Sequence, residues 1–143
     1  MSVLISVVIP TRTRAETLGA TLRSAVEQDF GDYEIIVCDN NSEDNTREVI
    51  ESLGSNKIRY FNTGKRLSMC DNWEFALSHA EGEYIIFIGD DDAIIPGALN
   101  KLQTFIQKNP APAYKWPVRN IYTYPNRWPK GICYLFVTQC PSP

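Results

Sequence analysis

A chain of 143 residues fits one domain of ordinary size and leaves no room for two. Its 43% apolar, 22% charged and 11% aromatic residues exclude disorder, collagen and coiled coil, and a domain this long buries about 68% of its unfolded surface, enough for a core without disulfides or zinc. The net charge of −3 gives no reason to expect nucleic acid as partner, but residues 1–92 hold all 17 acidic residues and residues 93–143 hold none, only 6 of the 14 basic ones.

The opening MSVLISVVIP is apolar for only ten residues, lacks a basic start and stops at Pro10, so it reads as neither a signal peptide nor a membrane span. Val3 to Ile9 is instead a β-branched run without polar alternation, the pattern of a strand covered on both faces. Leu18, Leu22, Ala25 and Val26 then form the apolar stripe of a helix from about Ala15 to Gln28. Tyr33 to Cys38 is a second buried strand. In the polar run after it, Ser42 or Asp44 is suited to cap a helix carrying Val49, Ile50 and Leu53, which Gly54 stops.

Lys57 to Phe61 forms a third, more exposed strand. From Ser68 a helix places Met69, Trp73, Ala76, Leu77 and Ala80 on one face, with His79 as a capping residue near its end and Gly82 as its stop. Tyr84 to Ile88 is a fourth strand, and Pro96 opens a helix whose face is Leu99, Leu102, Phe105 and Ile106. This βαβαβαβα order implies an α/β, Rossmann-like, mostly parallel sheet with right-handed crossovers and helices on both faces. Residues 1–109 are thus expected to form the ordered domain. Residues 110–143 are a Pro-rich, irregular tail with two short candidate strands, Asn120 to Tyr124 and Ile132 to Val137.

Cys38, Cys70, Cys133 and Cys140 form no CxxC pair and have no histidine set beside them, so zinc spacing is absent. Cys38 reads as a small core residue, and a reducing cytoplasm is the expected compartment.

In an open parallel sheet, ligands bind outside the carboxyl ends of the strands. The clusters TRTR (11–14), DNNS (39–42), NTGKR (62–66) and GDDD (89–92) each follow a strand, so the fold brings all four to one edge. Two carboxylates about 4 Å apart repel by roughly 4 kcal/mol at an effective dielectric of 20. Three in succession, Asp90, Asp91 and Asp92, therefore need protonation, divergence or a cation. A hard divalent ion, Mg2+ or Mn2+, suits oxygen ligands completed by phosphates, and the alternative is a solvated acidic turn capping the next helix.

Asp39 beside Asn40 and Asn41 can accept from a base imide or a ribose hydroxyl, or else make an Asx turn. Arg12, Arg14, Lys65 and Arg66 offer positive charge for a diphosphate. There is no GxGxxG after the first strand, no GxxxxGK[ST] and no GxSxG, so dinucleotide, P-loop and hydrolase readings fail.

The run ISVVIPTRTRAETLGATLRSAVEQDFGDYEIIVCDNNSEDNTREVIE, followed by NTGKRLSMCDNWEFALSHAEGEYIIFIGDDDAIIPGAL, resembles the nucleotide-binding half of family 2 glycosyltransferases with the GT-A fold, over roughly residues 3–106. The resemblance implies transfer of a sugar from a nucleoside diphosphate sugar, usually UDP-linked, to a hydroxyl of a glycan, lipid-linked or other acceptor, with inversion. Peripheral attachment at the inner face of the membrane stays open. Pro10, Thr11 and Asp39 inherit the nucleoside-holding roles, with Asn41 beside them. Arg14 inherits a place near the base or phosphates, and Lys65 and Arg66 one near the uracil and diphosphate.

The family's DxD element falls on Asp90 to Asp92. Aligning on Pro96 gives the ribose and metal roles to Asp90 or Asp91, with Asp92 as an extra acid. The literal spacing gives them to Asp90 and Asp92, and all three are kept, Asp90 for substrate and Asp91 and Asp92 for metal.

Two departures stand out. Arg12-Thr13 replaces the family's usual Tyr-Asn. Inversion also needs a general base, in this family an Asp or Glu downstream of the DxD, yet from Ala93 to Pro143 there is no carboxylate side chain and no histidine. No catalytic base is therefore identified after Ala93. The chain is then a truncated or split transferase, or takes its base from a partner chain, or binds donor without turnover. A nucleotidyltransferase is a further alternative, set back by the lack of a glycine-rich phosphate cradle.

Overall fold

The computed structural model describes residues 4–117 and 134–139. Strands β1 (Ile5–Thr11), β2 (Tyr33–Asp39), β3 (Ile58–Asn62) and β4 (Tyr84–Phe87) alternate with helices α1 (Ala15–Val26), α2 (Thr46–Ser52), α3 (Met69–Leu77) and α4 (Ala98–Lys108). β5 (Ala113–Pro117) and β6 (Tyr134–Gln139) complete a six-stranded sheet in the order β3-β2-β1-β4-β6-β5. The first four strands pair in parallel, and β6 runs antiparallel to both β4 and β5. The order reverses at β1, where β2 and β4 lie on either side, and this is the switch point at which an open α/β sheet forms its crevice.

β1 and β2 lack polar alternation because both of their faces are buried. On one face Val7, Ile9, Ile35, Val37 and Ile86 pack with Leu18 and Leu22 of α1, Ile50 of α2, and Leu99, Leu102 and Ile106 of α4. The other face holds a smaller cluster of Val8, Ile36, Cys38 and Ile85 closed by Ala76 of α3. Cys38 is the core residue expected, and burial pushes its thiol up to about 12. At the opposite end from the crevice, Glu34 is buried and accepts from Ser6 Oγ (2.6 Å), Glu81 N (2.7 Å) and Arg59 Nη1 (2.5 Å).

Several local expectations are corrected. Asp44 does not cap α2 alone: Oδ1 accepts from Thr46 N and Oγ1 at the start of α2, and Oδ2 accepts from Ala15 N at the start of α1. One carboxylate thus satisfies donors at two helix N-termini, a link that sequence spacing cannot reveal. Helix α3 ends at Leu77, five residues before Gly82. Gly82 serves a close approach instead, because a Cβ there would lie 2.5 Å from Ser6 N.

The face predicted for α3 is only half buried. Ala76 is covered, while Met69, Trp73 and Leu77 are exposed, because α3 sits mainly over β1 and β2. His79 does not cap; its ring stacks on Phe61 at 3.8 Å and meets Phe75 edge-on. Pro96 precedes α4, whose N-cap is the left-handed Gly97. The candidate strand at 120–124 lies outside the described residues, and the one at 132–137 corresponds to β6. β5 is hidden in the sequence by its proline, which an edge strand tolerates at its end.

Candidate functional site

The polar loops meet at the carboxyl ends of the strands because successive strand ends are tied together. Asn40 N donates to Thr11 O and Thr63 N to Asp39 O, at 2.9 and 3.0 Å, so the chain after β2 is joined to β1 and that after β3 to β2. Between them opens a cavity of about 650 Å³, walled by Pro10, Thr11 and Arg14 from one side, Arg66 to Met69, Asn72 and Trp73 from another, and Asp90 and Asp91 from the third.

Asp90 is the best-buried acid of its turn. Thr11 Oγ1 donates to its Oδ2 at 2.7 Å, and Arg14 Nε lies 3.9 Å from its Oδ1. Burial raises its carboxyl above the ordinary value; the Thr11 hydrogen bond and the Arg14 charge pull it down, the neighbouring Asp91 pushes it up, and the net direction is up. Asp91 is more open, and its Oδ2 accepts from Arg14 Nη1 at 3.0 Å. Asp92 turns back on its own loop, where Oδ2 accepts from Gly89 N at 2.9 Å, and it does not line the cavity. Beyond the turn, from Ala93 onward, no side chain adds a carboxylate or an imidazole to the cavity wall, so no catalytic base is assigned there.

The segment that follows the acidic turn is held by α1 and the residues just after it. Ser24 Oγ accepts from Ile94 N at 3.0 Å, and buried Gln28 donates through Nε2 to Ile95 O at 3.1 Å. Opposite, Thr13 adopts φ 50°, a left-handed conformation costly for a β-branched residue, and its N–H donates to Ser42 Oγ at 2.8 Å. Such strain is typical of loops shaped for binding.

Asp39 is 2% exposed and fully engaged: Oδ1 accepts from Ser42 N at 2.8 Å, and Oδ2 from Tyr60 OH and Asn62 Nδ2 at 2.8 and 3.1 Å. The Asx turn is therefore present, and Asp39 lies behind the cavity wall rather than in it. Asn41, at φ 56°, and Lys65 are likewise absent from the lining. Pro10, Thr11, Arg14, Arg66, Asp90 and Asp91 are brought together as expected.

Further lining residues are not among the expected site residues, although Asn40 belongs to the cluster at 39–42. Asn40 clamps the loop after β3, its Nδ2 donating to Leu67 O at 3.0 Å and its Oδ1 accepting from Leu67 N at 2.7 Å. Asn72 and Trp73 sit on α3, where the sequence shows only an apolar period, and Trp73 meets Phe87 edge-on at 5.2 Å.

Among the described residues no group of three or more His, Cys, Asp or Glu converges as a metal cage. A two-carboxylate site is a different matter. Asp90 and Asp91 present oxygen donors on one wall, a fit for a hard cation whose remaining ligands come from phosphates and water. Asp92 does not join them.

A family model described as Glycosyl transferase family 2 matches residues 6–141. The chain is 39% identical over 101 residues to the GalNAc(5)-diNAcBac-PP-undecaprenol beta-1,3-glucosyltransferase of Campylobacter jejuni, covering 68% of this chain and 33% of that protein. It is 27% identical over 106 residues to an Escherichia coli UDP-Glc:alpha-D-GlcNAc-diphosphoundecaprenol beta-1,3-glucosyltransferase, covering 74% and 42%. The chain thus spans about a third to two fifths of the length of these curated relatives.

The structure of S. aureus TarS 1-349 in complex with UDP superposes with a TM-score of 0.73 at 25% identity, covering 77% of this chain and 34% of that one. A Pyrobaculum calidifontis mannosyltransferase in complex with GDP-Man and Mn2+ gives 0.66 at 22% identity, over 76% and 34%, a likeness of fold alone. The sheet, its switch point and its helical layers are those of the GT-A fold. No helix among the described residues is long and apolar enough to cross a membrane. On the family match over residues 6–141, the chain belongs to glycosyltransferase family 2.

Proposed function

We propose that the cavity binds a nucleoside diphosphate sugar, with UDP as the nucleotide, and serves inverting transfer of the sugar to an acceptor hydroxyl. The observation that carries the reading is the joining of Thr11, Arg14, Asp90 and Asp91 around one cavity at the switch point. Its two acids and one guanidinium suit a ligand that has both hydroxyls and a diphosphate. The TarS complex with UDP and the UDP-Glc specificity in the name of the E. coli relative support the choice of nucleotide. Both relatives are named for undecaprenol-linked acceptors, which favours a lipid-linked glycan as acceptor and hence a place of action beside a membrane.

Pro10 and Thr11 would border the nucleoside, and Arg14 and Arg66 would face the diphosphate. Asp90 and Asp91 would hold a divalent cation, Mn2+ or Mg2+, which when bound offsets the negative charge that builds on the leaving nucleotide. Asp39 would act indirectly, by holding Tyr60 and Asn62 and the loop at Ser42. Residues 1–109 contain every one of these groups, and residues 110–143 supply two sheet strands.

Calorimetric titration of UDP with and without Mn2+ tests the reading. Tight binding only with the cation supports it, and equal affinity with and without cation overturns the clamp. One observation favours a second reading, a donor-binding unit whose base comes from another chain or from further sequence: the stretch from Ala93 to Pro143 contains no Asp, Glu or His. Slow release of UDP from a UDP-sugar into water, without acceptor, would separate a competent donor site from a merely binding one.

A further inference from the structure

Two asparagines stand in the cavity wall, equally buried but differently used. Asn40 is 5% exposed, and its amide oxygen and nitrogen are both spent on the backbone of Leu67. Asn72 is 4% exposed and lines the same cavity, yet its Oδ1 has no hydrogen-bond partner. A buried carbonyl without a donor is costly, and native proteins keep few of them away from functional sites.

The position of Asn72 follows from the packing of α3. Ala76 faces Val8, Ile36 and Cys38 in the middle of the sheet. Asn72 lies one turn earlier on the same face and is carried towards the carboxyl ends of the strands, into the wall shared with Asp90 and Asp91. Asp90 and Asp91 already have partners in Thr11 and Arg14, so the unpaired acceptor of this wall is the Asn72 carbonyl. It needs a donor, and a sugar ring with adjacent hydroxyls is the chemistry that supplies one.

We infer that Asn72 is a sugar-reading residue, its Oδ1 accepting a hydrogen bond from a ring hydroxyl of the bound donor. This rests on the nucleotide-sugar reading and deepens it. Ribose and the transferred hexose both carry such hydroxyls, and either satisfies the same acceptor. Oδ1 is itself buried, so the side chain must turn toward the cavity to meet a hydroxyl; a site whose acceptor is paired only in that way discriminates against analogues lacking the hydroxyl, because the acceptor then stays unpaired in the complex.

The experiment compares the whole chain with Asn72→Leu, which has similar size and no acceptor, by calorimetry in Mn2+ with UDP, UDP-glucose, UDP-GlcNAc and 2′-deoxy- and 3′-deoxy-UDP. Affinity for the UDP-sugars is expected to fall roughly tenfold or more in the variant, with a melting temperature no lower than that of the parent. An equal loss for UDP assigns the contact to ribose, and the matching deoxy-UDP then binds both proteins alike. A loss confined to the UDP-sugars assigns it to the hexose.

If the parent binds UDP and UDP-sugars and the variant does so equally well, the inference fails and the nucleotide-sugar reading stands. If the parent binds none of them, both fail. A variant that melts well below the parent marks the amide as structural, which also overturns the inference. Should that variant not fold, the parent alone decides: indifference to loss of every ring hydroxyl, in the deoxy-UDPs and in UDP-sugars deoxygenated on the hexose, overturns it as well.

Discussion

Arg14 and Asp91 face each other at 3.0 Å across the mouth of the cavity, and the same guanidinium reaches within 3.9 Å of Asp90. Two adjacent carboxylates thereby share one positive charge, from a side chain that stands at the N-cap of α1, on a different strand's loop. The arrangement places one cation where a second is proposed to bind, so Arg14 and a bound metal ion would compete for the same oxygens.

That competition has a measurable consequence. Removing the guanidinium in Arg14→Met should strengthen Mn2+ binding in the absence of nucleotide by about two- to fivefold, the modest scale of an open ion pair. UDP binding in the presence of Mn2+ should weaken by roughly tenfold, because a charge-assisted contact to phosphate is lost. Electron paramagnetic resonance of free Mn2+ and calorimetry of UDP read the two effects separately. Parallel weakening of both would show that Arg14 assists the metal rather than opposing it.

Asp90 links stability, pH and binding. Burial holds its carboxyl above the ordinary 3.8, so the folded state keeps that proton more tightly than the unfolded chain does. Ionising it therefore costs stability as pH rises through the folded value, and the cost is fully present at neutral pH. Asp90→Asn should melt at or above the parent at pH 7, with the difference vanishing in strong acid, since Asn Oδ1 still accepts from Thr11. The same variant should lose UDP·Mn2+ binding, and in the parent that binding should fail on acidification as Asp90 takes up its proton. Thermal melts and titrations across pH check both signs.

The sheet is legible in the sequence because β1 and β2 carry unbroken apolar runs, and their carboxyl ends can be placed at one edge by counting crossovers. The clusters that contain Thr11, Arg14, Asp90 and Asp91 follow from that edge, but the edge offers Asp92 equally, and the separate roles of Thr11, Asp90 and Asp91 come only from the family resemblance. Asp39 shows the limit: its residue type and position are readable, but whether its oxygens face a ligand or Tyr60 and Asn62 depends on a neighbouring strand. Asn72 and Trp73 escape notice because periodicity sorts helix positions into buried and exposed, and a helix whose edge forms a cavity wall has positions that are neither. β5 escapes it because proline marks breaks along the chain, not the rank of a strand within the sheet.

Glu34 should govern the acid limb of the unfolding curve. Burial alone would raise its carboxyl, but the hydrogen bonds from Ser6, Glu81 N and Arg59 outweigh it and hold it below its ordinary 4.5. A depressed carboxylate contributes stability above the unfolded value and loses it as pH falls through the folded one. Glu34→Gln should cost about 2 kcal/mol at pH 7, since a bond to a charged partner is lost and Arg59 keeps only the exposed Glu81 as an ionic partner, beside the His79 carbonyl. The gap to the parent should narrow below pH 4.5, which denaturant melts at several pH values would follow.

Gly82 offers the sharpest test of the packing beneath the site. Its N–H donates to Ser6 Oγ at 2.8 Å, and a Cβ would stand 2.5 Å from Ser6 N and 2.8 Å from the Ile5 carbonyl carbon. Both are backbone atoms of β1, so the clash cannot be relieved by a rotamer change. Gly82→Ala must push the segment before β4 away from β1, at a cost of about 2 kcal/mol or more. Gly31, where an added Cβ would meet nothing within 4 Å and φ is not positive, is the control, and Gly31→Ala should fall within about 0.5 kcal/mol of the parent. Because β1 ends at Thr11 and β4 leads into Asp90, displacing one against the other stretches the 2.7 Å bond between those residues. Gly82→Ala should therefore also weaken UDP·Mn2+ binding below its melting transition, whereas Gly31→Ala leaves it unchanged.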